Sequence, residues 1–121
     1  MKITGFNPTI VSNKAEDIIQ IFEELGFSKH HDVSGHTESD FRNVVMKDAK
    51  QNKVDIAQIE TERDSILLRM NVDDFQEAYD LLIQRGFVNT RGDRTVGSAT
   101  SKAATMVSPS GFVISLIHHI K

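Results

Sequence analysis

The sequence predicts an α+β fold built from two tandem βαβββ modules. Three observations carry the prediction. Two short segments have helical periodicity and each runs straight into Gly-Phe. The other apolar segments are short and read as strands. The order strand, helix, three strands occurs twice. The expected layout is a curved mixed sheet with both helices on its convex face and a concave ligand cavity on the other.

The first helix places Ala15, Ile18, Ile19, Phe22 and Leu25 on one face. Its start reads as a capping box, with Asn13 as N-cap and Glu16 three residues later. The second helix places Phe75, Ala78, Tyr79 and Leu82 on one face, with Asp73 and Gln76 as the same box. Gly26 and Gly86 stand where a left-handed C-cap would end each helix. The acidic pairs Glu16-Asp17 and Asp73-Asp74 fall in first helical turns, where the helix dipole favours them.

Strands are expected over Ile3–Val11, Phe27–Val33, Phe41–Met46 and Val54–Ile59, then over Ile66–Val72, Phe87–Thr90, Lys102–Val107 and Phe112–Ile120. The polar run Lys47–Lys53 reads as a hairpin connection. So does Ser108-Pro109-Ser110-Gly111, where Pro presets the turn and Gly can take positive φ. The Gly-, Thr- and Ser-rich stretch from Thr90 to Ser101 reads as a mobile loop.

The two halves, 1–60 and 61–121, match at a constant offset of 60 residues without a gap. Asn13 falls on Asp73, Glu16 on Gln76, Phe22 on Leu82, Val54 on Ile114 and Ile56 on Leu116. Gly26/Gly86, Phe27/Phe87 and Met46/Met106 are identities. Matched caps, apolar faces and turns, rather than identities, carry the repeat. The reading is one domain over 1–121, which suits the length.

Composition narrows the function classes. The chain has 39% hydrophobic and 26% charged residues, ordinary for a globular domain and unlike a disordered one. No cysteine is present, which removes disulfides, thiolate metal sites and a cysteine nucleophile. A net charge of −3 lacks the basic footprint that nucleic acid requires. No apolar run is long enough to span a membrane, and no signal peptide is read at the start. A cytoplasmic protein with neither nucleic acid nor membrane as partner is expected.

Three passages resemble the vicinal oxygen chelate superfamily, which includes glyoxalase I, bleomycin-resistance proteins, fosfomycin-resistance enzymes and extradiol dioxygenases. Ile18 to Phe27 is similar to that family's first helix ending in Leu-Gly-Phe. Val72 to Tyr79 is similar to the start of its second helix. Ser108-Pro109-Ser110-Gly111-Phe112-Val113-Ile114-Ser115-Leu116 is similar to its closing turn and strand. The resemblance implies metal ligands, usually His and Glu, at four strand positions. Here those positions hold Asn7, Asp55, Leu67 and Ser115. Leu67 has no lone pair, Asn7 and Ser115 are weak neutral donors, and only Asp55 is a carboxylate. The expectation is therefore no cofactor, with a divalent metal disfavoured and no catalytic residue assigned. The resemblance also implies a homodimer.

Strand alternation says which side chains share the face of those positions. They are Asn7, Thr9 and Val11, then Leu67, Arg69 and Asn71, then Val113, Ser115, Ile117 and His119. The ligand-binding set expected on this face is Asn7, Thr9, Asp55, Arg69, Asn71, Ser115 and His119. Arg69 stands between apolar residues, so its guanidinium must meet a carboxylate or reach water. It suits an anionic ligand or a pairing with Asp55. His30-His31 and His118-His119 cannot each chelate one ion, since strand neighbours point to opposite faces. His36 falls in a polar loop, Arg42 reads as surface, and Met46 and Met106 as core filler. His119, at the end of the pocket face, suits a polar contact or a general acid near neutral pH.

The leading expectation is a metal-free protein of glyoxalase/bleomycin-resistance type that holds a small organic ligand in the sheet cavity. One alternative is a metal-dependent lyase, isomerase or dioxygenase of the same superfamily with shifted ligands such as Asp55, Glu60 and His119. Another is a ferredoxin-like module with fewer strands per helix and no deep pocket.

Overall fold

The structure, a computed structural model, describes residues 1–34, 42–90, 96–97 and 101–119. Elements run β1 (Ile3–Ser12), α1 (Ala15–Glu24), β2 (Ser28–Ser34), β3 (Arg42–Lys47), β4 (Lys53–Gln58), β5 (Ser65–Val72), α2 (Phe75–Gln84), β6 (Val88–Asn89), β7 (Val96–Gly97), β8 (Ser101–Val107) and β9 (Val113–His119). This is the expected α+β succession. The ferredoxin-like alternative fails on strand count, with nine strands to two helices among the described residues. Within the stretch expected to be a loop, Val96–Gly97 pair with β8, so two short strands stand where one was read. Phe41, His36, Ile120 and most of the Thr90–Ser101 stretch lie outside the described residues. No helix among the described residues is long and apolar enough to cross a membrane.

The chain forms two compact units, Asn7–Ile66 and Met1–Phe6 with Leu67–Lys121. In the first, β1 runs parallel to β4, and β4 and β2 are antiparallel to β3. In the second, β5 runs parallel to β9, and β8 is antiparallel to β9, β6 and β7. The offset of 60 holds residue by residue in the pairing. Thr9 faces Asp55 as Arg69 faces Ser115, and Val45 faces Asp55 as Thr105 faces Ser115. Lys29 faces Met46 as Asn89 faces Met106.

Each helix covers one face of its own strands. In Asn7–Ile66, Ala15 and Ile19 pack with Val44, Met46, Val54 and Ile56. In the other unit, Phe75 and Ala78 pack with Val72, Ala104, Met106, Ile114 and Leu116. Both methionines are fully buried core residues, as expected. The alternate residues of the same strands therefore form the face turned away from the helices.

The helix ends are Schellman motifs. Gly26 and Gly86 take φ of +105° and +92°. The Phe27 amide donates to the Phe22 carbonyl and that of Gly26 to Glu23. Phe87 and Gly86 repeat the scheme on Leu82 and Ile83. Phe22 and Phe27 meet edge to face with centroids 5.1 Å apart, the apolar contact that accompanies this cap.

The helix starts correct the sequence reading. The N-caps are Lys14 and Asp74, one residue later than expected, and neither is a capping box. Asp74 accepts from the Glu77 amide, while Lys14 makes no side-chain cap. The cap of α1 comes from β4. The Gln58 Oε1 accepts from the Ala15 amide at 2.9 Å, and its Nε2 donates to the Asn13 carbonyl at 2.7 Å. The strand pairing, invisible in local spacing, supplies this donor and acceptor.

The two hairpins also coincide. Asp48 N–H donates to the Asn52 carbonyl as Ser108 does to Phe112, and Gln51 to Asp48 as Gly111 does to Ser108. Gln51 takes positive φ where its counterpart is glycine. Asp48 accepts from the Asn52 side chain and from the Lys50 and Asn52 amides. The Asn52 side-chain bond leads in holding the Asp48 carboxyl below its ordinary value. The native pKa is depressed, so this turn's contribution is full above about pH 4 and is lost as pH falls through the native value. The Asp48 carboxyl carbon is expected to titrate below the ordinary aspartate value in an NMR pH series. A midpoint at the ordinary value would show the turn bonds absent in solution.

Candidate functional site

On the face of Asn7–Ile66 turned away from α1, Asn7, Thr9 and Asp55 come together. They are 2%, 7% and 0% exposed. Thr9 and Asp55 are register partners on β1 and β4, and Asn7 lies two residues before Thr9 on the same face. Val11 and Ala57, both buried, continue that face. The pairing places Asp55 opposite the helix-packed side, between Val54 and Ile56 of the core. The Asn7 Nδ2 donates to the Pro8 carbonyl at 3.0 Å. Its Oδ1 and the Thr9 Oγ1 are buried and accept no hydrogen bond.

In the other unit the face turned away from α2 carries Arg69, Asn71 and Ser115, all half-buried. Arg69 and Ser115 are register partners on β5 and β9. Thr105 of β8 faces Ser115 and joins this face, a residue the sequence reading left out although its alternation with Ala104 and Met106 marks it. Backbone pairing places His119 at the end of β9 opposite Ser101, and its side chain lies outside the described residues. Met70, Val72, Ile114 and Leu116 pack under α2, while Leu68, whose alternation expects it there too, is not part of that cluster.

A second feature of this unit was not read from the sequence. Thr4, Asn71, Val72, Asp73 and His118 line an open cleft of about 320 Å³. The Asp73 Oδ1 accepts from the Lys2 amide, and that bond is the first cause of a carboxyl held below its ordinary value. His118 occupies the position equivalent to Gln58, beside the start of the second helix. Only the pairing of the start of β1 with the end of β5 brings these residues together, and no local motif announces it.

The histidine pairs are otherwise bland. His30 and His31 are exposed. A bulge between Lys29 and His31 breaks the β2 register, so strict alternation does not govern this pair as expected.

No family model matches the sequence, and no curated protein sequence matches it. Solved structures do. A methylmalonyl-CoA epimerase from Mycobacterium tuberculosis matches with TM-score 0.72 at 14% identity, over 98% of this chain and 90% of that one. Another methylmalonyl-CoA epimerase matches with TM-score 0.69 at 17% identity, over 95% and 94%. A glyoxalase/bleomycin resistance protein/dioxygenase superfamily member from Vibrio splendidus matches with TM-score 0.67 at 14% identity, over 98% and 100%. The chain has the vicinal oxygen chelate fold.

The resemblance to vicinal oxygen chelate proteins implies metal ligands at four positions. Asn7 and Asp55 belong to one unit, Leu67 and Ser115 to the other. The second pair offers an aliphatic chain and a neutral hydroxyl. Divalent transition ions want imidazole or carboxylate at several positions, and this set does not fit them. Among the described residues no group of three or more His, Asp or Glu is placed to hold an ion.

Proposed function

We propose that this protein binds a small organic ligand on the strand faces turned away from the helices and works without a catalytic metal. The observation that supports the reading is the replacement of metal-type donors by Leu67 and Ser115, while neighbouring polar groups stay on the same faces. The fold relatives include epimerases, so chemistry on a bound ligand remains the competing reading, with Asp55, Glu60 and His119 as its shifted ligands. Against it, Glu60 is exposed beyond the end of β4 whereas Asp55 is fully buried. No cofactor is part of the proposal. A homodimer in the cytoplasm, with neither nucleic acid nor membrane as partner, completes it.

Protein purified without chelator is expected to carry no stoichiometric ion, and one tightly bound ion per chain would overturn the metal-free reading. A thermal-shift screen over aromatic, peptide-antibiotic and dicarbonyl compounds is expected to find ligands that raise the midpoint. For an acidic hit, Arg69→Met should weaken binding by about 1.5–3 kcal/mol, roughly ten- to a hundred-fold. An unchanged affinity on that variant would remove Arg69 from the site.

A further inference from the structure

We propose that Asn7 and Thr9 form a subsite for a nitrogen donor, so that the ligand presents an N–H-bearing head such as an amidine or a primary amide to β1. The inference rests on the small-molecule reading above and adds the chemistry of one end of the ligand. It starts from the Asn7 side-chain amide. Its nitrogen end is fixed, because the Pro8 carbonyl 3.0 Å away can only accept. The oxygen end therefore points elsewhere, and it is buried with no donor. The Thr9 hydroxyl oxygen, two residues on and on the same face, is buried with no partner as well.

Native structures leave few buried polar atoms unsatisfied, and each such atom calls for an explanation. Two on adjacent positions of one face call for a common one. Both oxygens accept, and Asn7 Oδ1 can do nothing else. A carboxylate or a carbonyl offers that atom no bond. A head with two divergent N–H bonds can serve both oxygens, whose residues stand about 6–7 Å apart along the strand.

Benzamidine, benzamide and benzoate share a ring and differ in the head, so they test the claim. In two-dimensional NMR titrations of the ¹⁵N-labelled protein, benzamidine and benzamide are expected to move the Asn7 side-chain and Thr9 backbone resonances saturably. Benzoate should bind there at least about tenfold more weakly. Thr9→Val and Asn7→Leu should each cut benzamide affinity about tenfold. Thr9→Val should not lower the midpoint of thermal unfolding, because its hydroxyl has no partner to lose, whereas Asn7→Leu also gives up the bond to the Pro8 carbonyl. The isosteric Thr9→Val keeps the test decisive where Asn7→Leu fails to fold.

The inference falls if benzoate moves these resonances as strongly as benzamide, if no probe moves them, or if Thr9→Val keeps full affinity. It also falls if Thr9→Val unfolds at a clearly lower temperature, since the hydroxyl is then structural. Benzoate that perturbs Arg69 and leaves Asn7 and Thr9 unmoved would overturn this subsite while upholding small-molecule binding.

Discussion

Ile19→Ala and Leu116→Ala are each expected to lower the free energy of unfolding by about 2–5 kcal/mol. Both side chains are 0% exposed. Ile19 fills the cluster under α1 with Val44, Met46 and Ile56, and Leu116 fills its counterpart under α2 with Met106 and Ile114. Truncation removes three heavy atoms from each and leaves a void that close-packed neighbours fill only in part. A domain of ordinary stability holds about 5–15 kcal/mol, so either change is a large fraction. Ile21→Ala is the control on the same helix. Ile21 is 48% exposed, and its loss should stay near the roughly 0.5 kcal/mol typical of surface changes. Urea unfolding of the three variants reads the difference. A costlier Ile21→Ala than Ile19→Ala would mean that α1 packs through another face.

The second large effect separates two glycines that look alike in sequence. Gly26→Ala and Gly86→Ala both place a Cβ on a residue with positive φ, at a cost of about 1–2 kcal/mol. At Gly26 the added Cβ meets nothing within 4 Å, so the backbone term stands alone. At Gly86 it comes within 3.0 Å of the Pro109 Cγ. A pyrrolidine ring cannot swing away as a long side chain does, so overpacking adds about 1–3 kcal/mol more. Thermal and urea unfolding should therefore rank Gly86→Ala well below Gly26→Ala. Equal losses would show that the Ser108–Gly111 turn yields to the intruding methyl.

The parts of the fold legible in the sequence are those fixed by local geometry. Helical periodicity marked α1 and α2, and the glycines marked their ends because a Schellman cap needs positive φ there. Alternation sorted Asn7, Thr9 and Asp55 from Ile10, Val54 and Ile56, since a strand has only two faces. The caps escaped because the α1 start is capped by Gln58, 43 residues from the Ala15 amide it serves. The bulge in β2 escaped because nothing in Lys29-His30-His31 requires an extra residue. The cleft at Thr4, Asp73 and His118 escaped for the same reason as Gln58: distant strand ends make it. Of the site, the face was legible and the unsatisfied oxygens were not, because satisfaction depends on who stands opposite.

The discontinuity of one compact unit bears on how the chain is made. Residues 7–66 form a unit continuous in sequence, and it can close its contacts once residue 66 has left the ribosome. Residues 1–6 are synthesised before them, yet their native neighbours come after. Lys2 exchanges backbone and carboxylate bonds with Asp73. Until that segment emerges, the start of β1 carries Ile3 and Phe6 with its own backbone groups awaiting partners. A strand edge with apolar side chains in that condition is a template for the wrong partner. The interval in which this chain is most prone to misassembly thus falls between the closing of residues 7–66 and the arrival of β5.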